Sequence, residues 1–133
     1  MSVRLVIVDD HPRMRASTVA ILQRDATLEV VGEAYDGMQA LAFCRALQPD
    51  LVVLDMDLPD MPGLTLVRLL RALTPSPRVL ILSGSATADW PRAALTAGVQ
   101  GYVLKDMADA ELCAAIHTVM QGHQVPWRIT GGV

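Results

Sequence analysis

The segment PDLVVLDMDLPDMPG, residues 49–63, decides the fold class, because it sets a short apolar run between acidic residues. The run, Leu51 to Leu54, is too short for a typical helix and consists only of branched aliphatic residues. An unbroken apolar run of this length is typical of a parallel strand that is covered on both faces. Asp55 follows the run directly. The segment therefore predicts a buried strand that ends in a carboxylate.

Four further runs of the same kind lie along the chain, and helical patterns separate them. The other predicted strands are Leu5 to Val8, Leu28 to Val31, Val79 to Leu82 and Tyr102 to Leu104. The predicted helices are Arg13 to Arg24, Gly37 to Leu47, Gly63 to Leu73, Pro91 to Ala97 and Asp109 to Gln121. This regular alternation predicts an α/β protein of the (βα)5 type.

Three of the helices carry an apolar stripe that we expect to face the sheet. Helical spacing gives these stripes as Met14, Thr18, Ile21 and Leu22 in the first helix, Met38, Leu41 and Ala42 in the second, and Leu112, Ala115, Ile116 and Val119 in the last.

Right-handed crossovers make such a sheet doubly wound, and five strands favour the flavodoxin-like order 2-1-3-4-5. The winding then reverses between strands one and three, where ligand sites of open α/β sheets form. The residues that follow these strands are Asp9, Asp10 and Asp55. We expect the three carboxylates to share one crevice.

Three carboxylates in one crevice repel one another, so the site should hold a proton or bind a cation. Mg²⁺ is the natural candidate because it prefers hard oxygen ligands together with phosphate oxygens. Ser83 and Lys105, at the ends of strands four and five, would add donors for phosphoryl oxygens. Each residue alone is weak evidence, because polar residues collect at strand ends in any α/β fold. The joint pattern favours a phosphoryl-transfer site.

Composition limits the class of protein. With 133 residues the chain fits one domain, and 52% hydrophobic residues with a formal net charge of -3 exclude disorder and make DNA an unlikely direct partner. Cys44 and Cys113 lie in apolar helical patterns without metal-ligand spacing, as expected of small core residues in a reducing cytoplasm. The N-terminus is neither a signal peptide nor a membrane span, so we expect a cytoplasmic protein without a membrane partner.

The chain resembles the receiver domains of two-component response regulators from about Val3 to Gly122. Residues 49–63 resemble the phosphoacceptor stretch of that family, with Pro59 and Gly63 at the expected distances from Asp55. The motifs DDHP, residues 9–12, and GYVLKD, residues 101–106, resemble the nitrate and quorum-sensing (NarL/LuxR-like) subgroup. The resemblance implies a receiver domain over residues 1–122 and a short tail or linker over 123–133.

The resemblance also implies a role for each site residue. Asp55 would take a phosphoryl group from a histidine of a sensor kinase, and Lys105 and Ser83 would contact phosphoryl oxygens. Tyr102 would change rotamer together with Ser83, although a half-buried strand aromatic is the alternative. The implied Mg²⁺ ligands are Asp10, Asp55 and the backbone carbonyl of Asp57, with Asp9 acting through water.

Phosphorylation would then move the face formed by helix four, strand five and helix five. We expect this face to be the output surface, and a homodimer is one assembly that it could form. Full-length members of the subgroup carry a C-terminal helix-turn-helix, which residues 123–133 are too few to contain. DNA contact is therefore expected only through a domain outside this chain, and the residues leave open whether the chain is a single-domain regulator or a truncated transcription factor.

The chain departs from the family pattern at a few positions. Leu58 replaces a common Met, and Gly84 replaces a common Ala, which makes a more flexible switch loop. Asp106 stands where many receivers have a cis proline, so we expect a trans bond there, because a cis bond before another residue costs about 2.5–4 kcal/mol. Asp57 adds a fourth carboxylate near the phosphoryl position.

Two other functions stay open. One is a receiver that no longer accepts phosphate and acts as a docking module. The other is a haloacid-dehalogenase-type phosphatase, because Asp55-Met56-Asp57 resembles the DxD motif of that family. In that family, however, the motif lies on the first strand. Of the histidines, His11 is expected to be structural or solvent-facing, and His117 to lie on a helix surface.

Overall fold

Five parallel strands alternate with five helices in a computed structural model, which describes residues 2–84, 89–105 and 109–122 of the chain. The strands are β1 (Val3–Val8), β2 (Leu28–Ala34), β3 (Leu51–Leu54), β4 (Arg78–Ser83) and β5 (Gly101–Leu104). The helices are α1 (Pro12–Gln23), α2 (Gly37–Leu47), α3 (Gly63–Arg71), α4 (Asp89–Thr96) and α5 (Asp109–Met120). The predicted (βα)5 order is confirmed, with bounds that differ from the predicted ones by a few residues at most.

The sheet has the order β2-β1-β3-β4-β5, and all its neighbouring strands are parallel. This is the predicted flavodoxin-like topology. Because β1 lies between β2 and β3, the winding reverses at the border of β1 and β3, where Val8 pairs with Leu54. The carboxyl ends of these two strands therefore lie side by side.

Side chains that alternate along the strands supply two separate cores, one on each face of the sheet. One core packs against α2, α3 and α4 and contains Val6, Val52 and Ile81. The other packs against α1 and α5 and contains Leu5 and Val53. All four residues of β3 are buried. Since burying one such side chain stabilises a fold by about 1.5–3 kcal/mol, the central strands are rigid supports for whatever follows them.

The predicted helix faces are confirmed for α5 and partly wrong for α1 and α2. The α5 stripe is buried throughout, and in α1 the residues Thr18 and Leu22 are buried. Met14, however, is 40% exposed, Met38 is 60% exposed, and Ala42 is also exposed. The buried face of α2 consists instead of Gly37, Ala40, Leu41 and Cys44. Mostly small residues of α2 face the sheet, so side-chain size as well as hydrophobicity selects this face.

Both cysteines are free, Cys44 buried and Cys113 half-buried, and burial raises the pKa of the Cys44 thiol to about 12. The predicted trans bond before Asp106 and the tail 123–133 lie outside the described residues. Among the described residues, no helix has both the length and the apolar character that a bilayer crossing requires.

Candidate functional site

Backbone hydrogen bonds of the sheet continue one residue beyond the strand ends, and these extra residues carry the site. The Asp55 N–H donates to the carbonyl of Val8 over 2.9 Å, and the Lys105 N–H donates to the carbonyl of Ser83 over 2.7 Å. The Asp9 N–H likewise donates to the next strand, at Ala34. Three functional side chains therefore leave rigid strands at the same edge of the sheet.

The side chains of Asp9, Asp55 and Lys105 converge as predicted. Lys105 Nζ lies 3.2 Å from Asp55 Oδ2 and 3.9 Å from Asp9 Oδ2. The other Asp55 oxygen, Oδ1, accepts a hydrogen bond from the backbone N–H of Asp57 over 3.1 Å. Both carboxylates are almost fully buried, with 5% and 6% of their side-chain surface exposed. The Asp55 carboxylate is thereby held in one orientation from two sides.

The charges at this site do not balance. Asp9, Asp10 and Asp55 contribute three negative charges when ionised, and Lys105 contributes one positive charge, which leaves a net charge of −2. Burial raises the pKa of the Asp9 carboxyl, and the backbone N–H of His11 only partly offsets this effect. The negative charge of Asp55 raises the pKa further, while the Lys105 ammonium lowers it. Because the pKa of Asp9 is raised overall, keeping this carboxylate ionised lowers the stability of the folded protein.

His11 is largely exposed, in agreement with its predicted solvent-facing role, but its ring also contacts the acidic cluster. Its ring Nδ1 lies 2.9 Å from Asp10 Oδ1, 3.3 Å from Asp9 Oδ1 and 3.8 Å from Asp55 Oδ2. The rest of the ring faces solvent, since 61% of the side-chain surface is exposed. The imidazole thus covers the open side of the acidic group.

The donor set fits a hard divalent cation such as Mg²⁺. One ligand atom from each of Asp9, Asp10, His11 and Asp55 can be chosen so that all four lie within 4.8 Å of one another. Asp10 Oδ1 is buried and has no hydrogen-bond partner among the residues that the structure describes; its short contact with His11 lacks hydrogen-bond geometry. An unpaired buried carboxylate oxygen is costly, and a cation would satisfy it. The predicted carbonyl contribution of Asp57, whose side chain is exposed, stays a prediction.

Ser83 and Tyr102 lie on the strands next to this group. Ser83 ends β4 with a half-buried side chain, and Tyr102 in β5 is 2% exposed and packs in the core on the α2, α3 and α4 face. The predicted alternative of a half-buried Tyr102 is therefore wrong, because the ring is fully enclosed. The Ser83 residue pairs with Leu104 in the sheet, directly before Lys105. Their predicted joint movement stays a prediction.

Two residues that sequence reasoning missed support the loops of the site. The Arg15 guanidinium donates to the backbone carbonyl of Asp9 over 2.8 Å and contacts Glu33 over 3.3 Å. Asp60 accepts hydrogen bonds from the N–H groups of Gly37 and Met38 at the start of α2, over 2.8 and 2.9 Å. Partial desolvation raises the pKa of Asp60, but these two amides and the backbone amide of Asp60 itself together outweigh it and lower the pKa overall. The Asp60 contact has no local sequence signal, because its partners lie 22 and 23 residues away, whereas Arg15 lies only six residues from Asp9.

His117 also differs from its prediction as a plain surface residue. Its Nε2 lies 2.9 Å from Asp25 Oδ2 and 3.0 Å from Thr27 Oγ1, and it joins α5 to the loop before β2. This contact lies at the amino ends of the strands, at the opposite edge of the sheet from Asp55.

Comparison with known proteins agrees with this geometry. The model of the response regulator receiver domain family matches residues 5–117. The chain is 39% identical over 123 residues to the DNA-binding transcriptional activator DevR/DosR of Mycobacterium tuberculosis, and 35% identical over 121 residues to the nitrate/nitrite response regulator protein NarL of Escherichia coli. These matches cover 92% and 91% of this chain, but only 57% and 56% of the two relatives.

A solved structure of a LuxR-family two-component response regulator from Aurantimonas superposes with a TM-score of 0.89 at 33% identity. That superposition covers 94% of this chain and 89% of the other. The match over most of the chain, the shared topology and the acidic site together show that the chain belongs to the response regulator receiver domain family, in its NarL/LuxR-like subgroup.

Proposed function

We propose that this domain is a phosphorylation-activated switch that accepts a phosphoryl group on Asp55 from the phosphohistidine of a sensor histidine kinase. The observation that supports this most is the setting of the Asp55 carboxylate. One oxygen is held by the Asp57 N–H, and the other lies 3.2 Å from the Lys105 ammonium. A carboxylate held in this way is oriented for attack at a fixed point in space.

The proposed transfer forms one bond and breaks one bond. An oxygen of the Asp55 carboxylate attacks phosphorus, a P–O bond forms and the P–N bond to the kinase histidine breaks. The electron pair of the broken bond stays on the imidazole nitrogen, which takes up a proton. The product is an acyl phosphate on Asp55, and the dianionic phosphoryl group adds negative charge where Lys105 already lies.

The proposed Mg²⁺ ligands are Asp10, Asp55 and the backbone carbonyl of Asp57, with Asp9 acting through water. A bound Mg²⁺ would neutralise phosphoryl and carboxylate charge during the transfer. The residues of the chain do the rest: Arg15 holds the backbone carbonyl of Asp9, and Lys105 offsets one of the three negative charges. The unpaired Asp10 Oδ1 supports this assignment.

The phosphoryl group would shift the domain toward an active conformation. Lys105 would move from the Asp55 carboxylate to a phosphoryl oxygen, and Ser83 would donate its hydroxyl to another. Tyr102 lies on β5 beside β4 and would follow Ser83 within the core. Because the phosphoryl group contacts the active arrangement better, it shifts the population toward it and changes the face of α4, β5 and α5.

The wider setting is also part of the proposal. We assign residues 1–122 to the receiver domain and place it in the cytoplasm, in keeping with its two free cysteines. The chain spans slightly more than half the length of the two relatives, one of which is named a DNA-binding activator. We therefore propose control of transcription through a helix-turn-helix beyond residues 123–133, with a homodimer as the form that the changed face would produce.

Intact-mass measurement after treatment with acetyl phosphate and Mg²⁺ tests the proposal. We expect one added phosphoryl group on the wild type, none on Asp55→Asn and one on the matched control Asp50→Asn, which alters an exposed aspartate before β3. Phosphoryl addition should also disappear when the divalent cation is chelated. An unmodified wild type would contradict the proposal and favour the docking module instead.

The phosphatase alternative requires its own measurement. Asp55 and Asp57 follow β3 here, whereas the DxD motif of haloacid-dehalogenase-type phosphatases follows the first strand. Incubation with p-nitrophenyl phosphate should therefore yield no repeated turnover. Many cycles per molecule that depend on Asp55 would favour the phosphatase.

A further inference from the structure

His11 is the nitrogen donor in a site that is otherwise built from oxygen. The Nδ1 distances to the carboxylate oxygens of Asp10, Asp9 and Asp55 are 2.9, 3.3 and 3.8 Å. Neighbouring ligands on a metal ion with bonds of about 2.1 Å are about 3.0 Å apart in an octahedron and about 3.4 Å apart in a tetrahedron. The separations of His11 Nδ1 from the oxygens of Asp10 and Asp9 are those of neighbouring ligands on one ion, and the Asp55 oxygen lies slightly farther away.

A hydrogen bond from a neutral imidazole accounts for only one of these three contacts. A neutral ring has at most one proton on Nδ1, and Asp9 Oδ1 is the atom placed to share it, at 3.3 Å. Asp10 Oδ1 is nearer, at 2.9 Å, yet it is buried and accepts no hydrogen bond within the described part of the chain. Three carboxylates against Lys105 leave a charge of −2, which a neutral imidazole does not change. A divalent cation would both balance the charge and use the lone pair of Nδ1.

Imidazole changes which cation such a site prefers. Mg²⁺ prefers oxygen ligands, whereas imidazole nitrogen suits transition ions such as Co²⁺ and Zn²⁺. We propose that His11 Nδ1 is a direct metal ligand, so that this receiver binds first-row transition ions through one nitrogen and its carboxylates, and more tightly than it binds Mg²⁺. The inference rests on the proposed function, because it uses the cation site that the phosphoryl transfer requires.

Pulsed electron paramagnetic resonance on Mn²⁺ bound to the full chain detects a coordinated nitrogen directly. We expect ¹⁴N coupling in the wild type and its loss in His11→Ala and His11→Gln. His117→Ala is the matched control, because His117 is the other histidine of the described residues and contacts Asp25 at the opposite edge of the sheet. It should keep the coupling. Absence of the coupling in the wild type, or its persistence in both His11 variants, would overturn the proposal.

Calorimetric titration with Co²⁺ and Mg²⁺ measures the preference. We expect His11→Ala to weaken Co²⁺ binding on the order of tenfold and Mg²⁺ binding less than about twofold. Equal losses for the two ions would show that His11 only shapes the site, and would overturn its role as a ligand. The exposed position of His11 favours folding of both variants, which circular dichroism checks.

The two proposals fail in different ways. If Mg²⁺-dependent phosphorylation of Asp55 proceeds and Mn²⁺ shows no nitrogen coupling, only the role of His11 is wrong. If Mn²⁺ shows the coupling and Asp55 takes no phosphoryl group, the metal ligand is supported and the switch is wrong.

Discussion

The two edges of the sheet use the same residue type in opposite ways. At the carboxyl edge, Asp9 and Asp55 are buried beside each other with Lys105 as their shared cation. At the amino edge, Asp25 and Asp50 each accept hydrogen bonds from groups that face them individually. The chain therefore crowds its carboxylates at one edge and distributes them at the other.

The amino edge shows what a satisfied aspartate looks like in this fold. Asp25 accepts from the backbone N–H and the hydroxyl of Thr27 and contacts His117 on its other oxygen. The Thr27 hydroxyl and His117 lower the pKa of Asp25 to about 2. Burial raises the pKa of Asp9 at the carboxyl edge. The pKa shifts of Asp25 and Asp9 have opposite signs. The ionised carboxylate therefore stabilises the fold at the amino edge and destabilises it at the carboxyl edge, as is common at functional sites.

The largest expected effect comes from removing a positively charged side chain, Lys105 at the carboxyl edge or Arg4 at the amino edge. Lys105→Met should slow phosphorylation of Asp55 by acetyl phosphate by about 10²-fold, because it removes a charge that faces the reacting carboxylate. Arg4→Met at the amino edge removes a side chain that donates to the carbonyls of Leu47 and Gln48. It should lower thermal stability and leave the phosphorylation rate of the folded protein unchanged. Equal slowing in both variants would break the contrast.

The next effect concerns packing at the carboxyl edge. A Cβ on Gly63 would lie 2.8 Å from Met56 Cα and 2.9 Å from the Met56 carbonyl oxygen, which are backbone atoms of the loop after Asp55. Gly63→Ala should therefore cost about 1–3 kcal/mol of unfolding free energy. Among the described residues, the matched variant Gly84→Ala would meet only Lys105 Cδ, at 3.8 Å, and should be nearly neutral. Denaturant titration measures both, and a stable Gly63→Ala protein would show that the loop is loose.

A smaller effect of opposite sign is expected at Asp9. Since its pKa is raised in the folded state, its ionised form destabilises the fold at neutral pH, and this cost disappears as pH falls toward the unfolded pKa. Asp9→Asn keeps an oxygen for the His11 N–H and removes the charge, so the metal-free protein should become more stable. Thermal melts with and without Mg²⁺ test this, because the variant should also lose stabilisation by Mg²⁺. A less stable metal-free variant would contradict it.

The smallest effect is the pH dependence at the amino edge. The pKa of Asp25 is lowered from 3.8 to about 2, so its contribution to stability is present above about pH 4 and is lost as pH falls toward about 2. The melting temperatures of the wild type and Asp25→Asn should differ at neutral pH and converge in this acid range. Thr27→Val, which removes the donor with the largest effect on Asp25, should show part of the same trend. A constant difference at all pH values would assign the effect to packing.

The predictability of the fold follows from burial on both sides of the sheet. Strands such as β3 need apolar side chains at every position, so their runs are visible without knowledge of their neighbours. Helix faces are less readable, because α2 offers apolar residues around most of its circumference. Met38 and Ala42 were therefore predicted to be buried, but Gly37 and Ala40 face the sheet. Which face of α2 is buried depends on how closely the helix approaches the sheet.

The candidate site was predictable where it follows from topology. Asp9, Asp55 and Lys105 come directly after strands, and parallel strands bring such residues to one edge. His11 was not predicted as a member of the site. It lies three residues after the end of β1, and this position does not specify whether its ring turns toward the carboxylates or toward solvent. The support from Asp60 to α2 depends on a contact across 23 residues and has no local signal.

The amino-acid sequence by itself determined the order of strands and helices and the identity of the residues at the strand ends, because both are local properties of the chain. Only the tertiary structure decided which carboxylates share a cation, which are satisfied by hydrogen bonds, and that His11 closes the acidic group. The physical reason is that the pKa and the ligand preference of a side chain depend on distances of a few ångströms between residues that are remote along the chain.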